Sequence, residues 1–225
     1  MHGNTLMNPV LKRIITALST ATLVVLAIIY VPTGWIPPVV WAVTALAVVE
    51  YALLLKKRVP LVSWKGLLLL IVGFEVIRWG LSALSEAAFW HGNLMMLYLI
   101  AIVKFSDMGG FAFGMSSAKL MKGGNHKLCP TISPNKSWEG LFGSVLASVL
   151  MSLAFLPITH FAWPKAVAFG VAAALVGTFG DLVESKFKRW VGVKDSATFM
   201  PAGLGGFLDM FDSLLFAPAA LLPFV

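Results

Sequence analysis

Charged side chains are concentrated in one short stretch of an otherwise apolar chain. Between residues 181 and 213 the charged side chains are Asp181, Glu184, Lys186, Lys188, Arg189, Lys194, Asp195, Asp209 and Asp212. Segments apolar enough to be buried in lipid flank this stretch on both sides. Because ionisable groups are costly next to a bilayer interior, such a cluster indicates a functional site.

The acids of this stretch have the spacing and the chemistry of a cation site. Asp209 and Asp212 are three residues apart and Asp181 and Ser185 are four apart, so each pair shares a face of a predicted helix. Carboxylates gathered in this way repel one another unless a cation lies between them. Oxygen ligands suit Mg²⁺, which also binds substrate phosphates. The sequence therefore predicts a magnesium phosphate site with Asp181 and Asp209 as ligands, whereas for Glu184 we expect ordinary ion pairing.

The composition places this site in a membrane protein. Of the 225 residues, 59% are hydrophobic and 12% are charged, and the mean hydropathy is +0.88, whereas soluble domains average about 25% charged residues. Apolar segments near the length that crosses a bilayer occupy roughly residues 11–31, 36–55, 64–84, 87–104, 140–159, 163–183 and 204–225. We expect an all-α bundle of about seven transmembrane helices that forms one domain over residues 1–225.

The distribution of cations predicts the orientation. If the N-terminus is cytoplasmic, nearly all Lys and Arg side chains fall on the cytoplasmic side and only Lys165 falls outside, as the positive-inside rule requires. Five aspartates then lie near the cytoplasmic ends of predicted spans and can converge on one inward-facing cavity: Asp107, Asp181, Asp195, Asp209 and Asp212. Topology and attraction to anionic lipid headgroups account for the net charge of +7, so we expect no nucleic acid partner.

The polar loop before residue 138 presents a lysine next to a predicted helix start. Two prolines bracket a stretch that cannot continue as a helix, so Lys136 is held just ahead of Trp138, with Ser137 as the N-cap. A helix N-terminus beside a fixed lysine attracts an anionic triphosphate. On these residues alone, a plain loop-to-helix transition with Trp138 at the membrane interface is equally supported. Glu139 is left unassigned.

Three ordered segments carry a family resemblance. The first reads Ser-Asp-Met-Gly-Gly-Phe-Ala-Phe-Gly at 106–114, and the second reads Ser-Pro-Asn-Lys-Ser-Trp-Glu-Gly at 133–140. The third runs from Ser185-Lys186-Phe187-Lys188-Arg189 through Lys194-Asp195-Ser196 to Leu208-Asp209 and Asp212-Ser213. Over approximately residues 95–220 this pattern resembles the phosphatidate cytidylyltransferases, also called CDP-diacylglycerol synthases.

The resemblance implies a CTP-dependent transfer in which the phosphate of phosphatidate attacks the α-phosphorus of CTP, giving CDP-diacylglycerol and pyrophosphate. It implies Asp181 and Asp209 as ligands of Mg²⁺, and the number of acids leads us to infer a second metal ion. The residues implied in catalysis are Asp107, Lys136, Ser185, Lys188, Arg189, Lys194, Asp195 and Asp212, of which the four lysines and arginines would bind the phosphates. The implied partners are CTP, phosphatidate or a related lipid phosphate, and membrane lipids. The implied location is a bacterial-type inner membrane with the active site facing the cytoplasm, and a homodimer is left open.

The chain also departs from the family pattern. Where the family commonly has Pro-Gly-His-Gly-Gly, residues 201–206 read Pro-Ala-Gly-Leu-Gly-Gly, and Met210 stands where an arginine is frequent. The chain is short for a bacterial member, which predicts that one or more N-terminal spans are absent. These departures keep a CDP-archaeol synthase and a CTP-dependent polyprenol or phytol kinase as alternatives. A cation-coupled transporter is less well supported, because the acids cluster at one membrane face and the two halves of the chain do not match.

Overall fold

A computed structural model describes residues 22–122, 124–193 and 206–225. Its helices are α1 (Ile36–Lys56), α2 (Trp64–His91), α3 (Asn93–Leu120), α4 (Trp138–Ala154), α5 (Leu156–Thr159), α6 (Trp163–Val191), α7 (Phe207–Phe211) and α8 (Ala217–Leu221). Two short strands, β1 (Lys127–Cys129) and β2 (Ser133–Ser137), form an antiparallel hairpin between α3 and α4. Residues 22–30 are also helical, and 3₁₀ turns lie at Thr33–Trp35, Ser213–Leu215 and Leu222–Phe224.

Four helical stretches are long and apolar enough to cross a membrane. They are Thr33–Lys56, Trp64–His91, Asn93–Leu120 and Trp163–Val191, and two further apolar stretches, Trp138–Ala154 and Ser213–Phe224, are shorter. The chain is therefore a helical integral membrane protein, which confirms the predicted class. The count of seven spans and the cytoplasmic N-terminus stay predictions, and most of the first predicted span lies outside the described residues.

Several of the predicted boundaries differ from the structure, since α3 runs on past residue 104 to Leu120 and α6 past residue 183 to Val191. Helix α2 continues past residue 84 to His91, and the chain turns at Gly92, whose φ of 87° suits glycine. The predicted span 204–225 is not one helix over the described residues 206–225 but a series of short helical pieces. Pro218 and Pro223 each lie in the first turn of such a piece, because proline cannot continue a helix from the preceding turn.

Helices α3 and α4 pack closely because both present small residues at their contact. A Cβ added to Gly109 would lie 2.4 Å from the carbonyl oxygen of Gly143, and one added to Gly143 would lie 2.4 Å from Cβ of Phe113. The Ser148 hydroxyl donates to the Ile102 carbonyl at 3.0 Å across the same contact. Small residues permit such close helix contacts in membranes. The sequence segment that contains Asp107 is thereby fixed against α4.

The C-terminal segment returns between α2 and α6 at two further glycines. A Cβ added to Gly80 of α2 would lie 2.1 Å from the Leu215 carbonyl oxygen, and one added to Gly180 of α6 would lie 2.8 Å from the Asp212 carbonyl oxygen. A larger residue at either glycine would push this segment away. The return brings the backbone of Asp212 beside Asp181, the next residue after Gly180.

Candidate active site

A cavity of about 290 Å³ lies between α3, the hairpin, α4 and α6. Three of the predicted site residues line it, and we call Asp107, Lys136 and Asp181 the cavity group. The other lining residues are Gly110, Phe111, Leu128, Ser133, Asn135, Ser137, Gly140, Leu141, Ser144 and Thr178. The cavity therefore combines ionisable groups with hydroxyl, amide and apolar side chains from α3, α6 and the continuous hairpin–α4 segment.

Lys136 reaches the cavity because the hairpin ends directly at a helix start. It is the penultimate residue of β2, and Ser137 both closes the strand and caps α4. The Gly140 amide donates to the Ser137 hydroxyl oxygen at 3.1 Å, as an N-cap requires, which confirms the predicted cap. Lys136 Nζ donates to Asp181 Oδ2 at 2.6 Å, with the two side chains only 24% and 20% exposed. The hairpin is thus tied to α6 by one ion pair.

Glu139, which was left unassigned from sequence, holds the base of the hairpin. Its carboxylate lies 2.6 Å from His126 Nδ1 and accepts the His126 backbone amide at 3.2 Å. The Trp138 amide donates back to the His126 carbonyl oxygen at 3.0 Å. The hydrogen bond from the His126 side chain, with the backbone bonds adding to it, lowers the pKa of the Glu139 carboxyl to about 2. Glu139, three residues after Lys136 in the sequence, therefore fixes the loop that presents the lysine.

Asp181 has one carboxylate oxygen that the described residues do not satisfy. Oδ2 accepts from Lys136, whereas Oδ1 is buried without a hydrogen-bond partner within the part of the chain that the structure describes. A buried carboxylate oxygen is costly to leave unpaired. Because Asp181 lines the cavity, this oxygen indicates a place where a ligand or an ion binds.

Asp107 is held by a network that the sequence analysis did not foresee. The Ser213 hydroxyl donates to Asp107 Oδ2 at 2.8 Å, and Lys104 Nζ lies 3.4 Å from the same oxygen. Lys104 also donates to the Met210 carbonyl oxygen at 2.9 Å. The spacing of three residues between Lys104 and Asp107 on one helix was the available sequence signal. This network connects α3 to the returning C-terminal segment.

A second charged group lies at the junction of α1, α6 and α7, and we call Glu50, Glu184, Lys188 and Asp209 the clamp group. Lys188 Nζ lies 2.5 Å from Asp209 Oδ1 and 2.7 Å from Glu184 Oε2. Asp209 Oδ2 accepts the Gly206 amide at 2.9 Å. Glu50, which is fully buried, accepts the Leu208 amide at 2.8 Å. The group fastens the start of α7 to two of the long helices.

The predicted metal ligands therefore lie in different groups. Asp181 belongs to the cavity group and Asp209 to the clamp group, where it is bonded to Lys188. Ser185 is half-buried and Arg189 is exposed on α6, and neither lines the cavity. Lys194 and Asp195 lie outside the described residues. The roles assigned to all of these residues stay predictions.

The donor set of the cavity suits a divalent ion that retains other ligands. No group of three or more His, Cys, Asp or Glu side chains that could hold a metal is found over the described ranges 22–122, 124–193 and 206–225. A closed protein cage is thus not formed there. Mg²⁺ commonly binds through one or two carboxylates plus water and substrate phosphate, and Asp181 Oδ1 offers a buried oxygen of the right chemistry. The cavity fits such an ion together with a phosphate ligand.

These features define a class: a helical integral membrane protein with a small charged cavity lined by three helices and a hairpin. Comparison with known proteins is more specific. The model of the Cytidylyltransferase family matches residues 6–225. The chain belongs to this family.

Similar curated proteins carry one name. A Staphylococcus aureus phosphatidate cytidylyltransferase is 44% identical over 128 residues, which are 56% of this chain and 46% of that protein. A Staphylococcus epidermidis phosphatidate cytidylyltransferase is 43% identical over 129 residues, again 56% and 46%. One from Staphylococcus haemolyticus is 41% identical over 124 residues, or 54% and 45%. The chain thus matches slightly less than half the length of these relatives.

Proposed function

We propose that this chain transfers the cytidylyl group of CTP to phosphatidate, forming CDP-diacylglycerol and pyrophosphate. The observation that carries the proposal is the cavity group itself. Lys136 and Asp181 both line the cavity and form an ion pair at 2.6 Å, and the acid keeps a buried oxygen without a hydrogen-bond partner among the described residues. Membership of the Cytidylyltransferase family and the names of the relatives support the same chemistry.

The proposed step is a displacement at phosphorus. A phosphate oxygen of phosphatidate forms a bond to the α-phosphorus of CTP, and the bond from that phosphorus to the oxygen bridging to the β-phosphorus breaks. The electron pair of the broken bond leaves with pyrophosphate. Little covalent chemistry falls to the protein in such transfers, so positioning and charge compensation carry the rate.

The residues of the cavity have matching tasks. Lys136 would release Asp181 and bind a phosphate of CTP, because an ammonium binds phosphate as a point charge. Asp181, together with Asp107, would hold Mg²⁺, which when bound offsets the negative charge of the triphosphate. Asp209 stays a proposed second ligand on the strength of the resemblance. A second ion also stays a proposal.

The rim of the cavity supports a lipid substrate. Phe111 lines the cavity and is 69% exposed, on a helix long and apolar enough to cross a membrane. Its exposed ring would face acyl chains, while the charged groups deeper in the cavity would face the lipid phosphate. This arrangement lets a soluble nucleotide and a membrane lipid meet.

The proposed location is a bacterial-type inner membrane with the cavity on the cytoplasmic side. The ends of α1, α3 and α6 and the starts of α2 and α4 carry or adjoin most of the cations, including Lys56, Lys65 and Lys119. Lys165 lies at the opposite end of α6. This asymmetry follows the positive-inside rule.

Two labels on CTP test the proposal. Purified protein in detergent receives phosphatidate, Mg²⁺ and CTP labelled at either the α- or the γ-phosphate. We expect the α-label in the lipid extract and the γ-label in pyrophosphate. A γ-label in the lipid would replace the proposal with a lipid kinase. No label in lipid, from a sample that elutes as a folded species, would refute nucleotide chemistry and favour the transporter alternative.

A further inference from the structure

Lys104 has a contact set that suits a positioning role in the active site. Its ammonium group lies 2.9 Å from the Met210 carbonyl oxygen, 3.4 Å from Asp107 Oδ2 and 3.4 Å from the Ser213 hydroxyl oxygen. An ammonium carries three donors, so each donor has an acceptor. Lys104 itself does not line the cavity. It can therefore act on the site through the groups that it holds.

The held groups belong to two separate parts of the chain. Asp107 lies on α3 and lines the cavity, whereas Met210 and Ser213 belong to the C-terminal segment that returns between α2 and α6. Ser213 is fully buried and donates to the same Asp107 oxygen at 2.8 Å. Two donors from different elements thus fix one carboxylate oxygen, which restricts the rotation of the Asp107 side chain.

Lys104 also compensates negative charge. Asp107 and Asp181 both line the cavity, and the repulsion between two carboxylates disfavours keeping both ionised. Lys136 compensates Asp181 through its ion pair. Lys104 compensates the charge of Asp107 in the same way. Met210, whose carbonyl oxygen Lys104 contacts, has an uncharged side chain and cannot do so.

On the basis of the proposed function, we propose that Lys104 is a positioning residue for the cytidylyl transfer. It holds Asp107 and the 210–213 segment against each other, so that the acid faces the cavity in one orientation. The residue acts through Asp107 and does not itself contact the nucleotide. Its loss therefore lowers the rate of the chemical step more than it weakens CTP binding.

The experiment compares Lys104→Met, Lys104→Arg and Lys119→Met with the unmodified chain in the labelled-CTP assay. Methionine keeps the length and apolar stem of lysine but has no donor, whereas arginine keeps donors and charge. Lys119 is an exposed lysine near the end of the same helix and serves as the matched control. We expect K104M to lower kcat by about 10- to 100-fold, the range for residues that orient catalytic ligands. We expect the KM for CTP to stay within roughly threefold, K104R to recover most of kcat, and K119M to match the unmodified chain.

Each other outcome counts against the inference in a distinct way. A K104M variant with unchanged kcat would refute the positioning role alone. So would a loss of the folded elution peak in K104M, or a K104R variant that folds but is as slow as K104M, because a general structural or steric role would then suffice. A raised KM with unchanged kcat would make Lys104 a nucleotide contact instead. An inactive unmodified chain would overturn the proposed function and this inference together.

Discussion

The cavity group and the clamp group use the same residue types for different ends. Each group pairs a lysine with an acid from another element, and both include acids of α6, where Asp181 and Glu184 are less than one helical turn apart. The cavity ion pair borders an open pocket of about 290 Å³, whereas no member of the clamp group lines that pocket. In the clamp group, Lys188 is 14%, Glu184 7% and Asp209 18% exposed.

Backbone contacts give the second difference between the groups. Two acids of the clamp group accept backbone amides at the start of α7, from Gly206 and Leu208. The cavity acid Asp181 instead accepts a hydrogen bond from a side chain, the ammonium group of Lys136. Each group also contains a buried carboxylate oxygen without a hydrogen-bond partner among the described residues, Asp181 Oδ1 and Glu184 Oε1. Access to a cavity, and not charge pairing alone, therefore distinguishes a candidate ligand site from an ion-pair cluster that only holds helices together.

The largest effect is expected from Asp181→Asn. The change removes the charge but keeps the shape, so the cavity loses its buried anionic oxygen and Lys136 keeps a polar neighbour. We expect kcat to fall by at least about 100-fold, the scale for loss of one charge-stabilising group. The elution profile and melting temperature in detergent should stay close to those of the unmodified chain. Lys186→Gln, which alters an exposed cation on the same helix, provides the control. Retained turnover in D181N would show that Asp181 is not part of the active site, and the proposed difference between the cavity group and the clamp group would then be wrong.

The next effect is expected on stability and comes from Lys188→Met. This change leaves the buried carboxylates of Glu184 and Asp209 without their shared cation. Breaking a buried ion pair in this way costs about 3–5 kcal/mol. We expect a clearly lower melting temperature in detergent and a turnover that falls only as folded protein is lost. Asp209→Asn is measured in parallel, because it tests whether Asp209 acts as a structural partner of Lys188 or as a metal ligand. If both variants keep the melting temperature of the unmodified chain but are inactive, the clamp group belongs to the substrate site, as the resemblance implies.

The sequence predicted the class of fold well but not how the termini of its helices meet. Long apolar segments identify spanning helices because the bilayer imposes their length and composition. The extension of α2 to His91 was missed because Ser85 and Glu86 are polar within a helix, and the turn depends on one glycine. The C-terminal segment has the apolar composition of a span. It nevertheless folds back between α2 and α6, because Gly80 and Gly180 have no side chain to block its close approach. Such a fit depends on distant residues and leaves no local pattern.

Part of the candidate site could likewise be predicted. The convergence of Asp107 and Asp181 followed from topology, and the N-cap at Ser137 followed from local sequence. The division of the acids into two groups did not, because spacing along α6 cannot tell which acid faces a pocket and which faces α7. The contribution of Lys104 was also missed, since it depends on a contact with Met210, 106 residues away.

The smallest effect is expected from Lys136→Ala, and it tests whether the cavity ion pair is exchangeable. If Lys136 leaves Asp181 to bind CTP, its loss removes one charge-assisted bond to phosphate and one competitor for Asp181. These changes oppose each other, so we expect the KM for CTP to rise by only about tenfold, equivalent to roughly 1.4 kcal/mol, with a smaller change in kcat. Lys127→Ala, an exposed lysine on β1 opposite Ser137, should leave KM unchanged and so controls for hairpin damage. A KM that does not respond to K136A, in a protein of unchanged melting temperature, would mean that Lys136 stays on Asp181 throughout. The cavity ion pair would then have only a structural role, like the ion pairs of the clamp group.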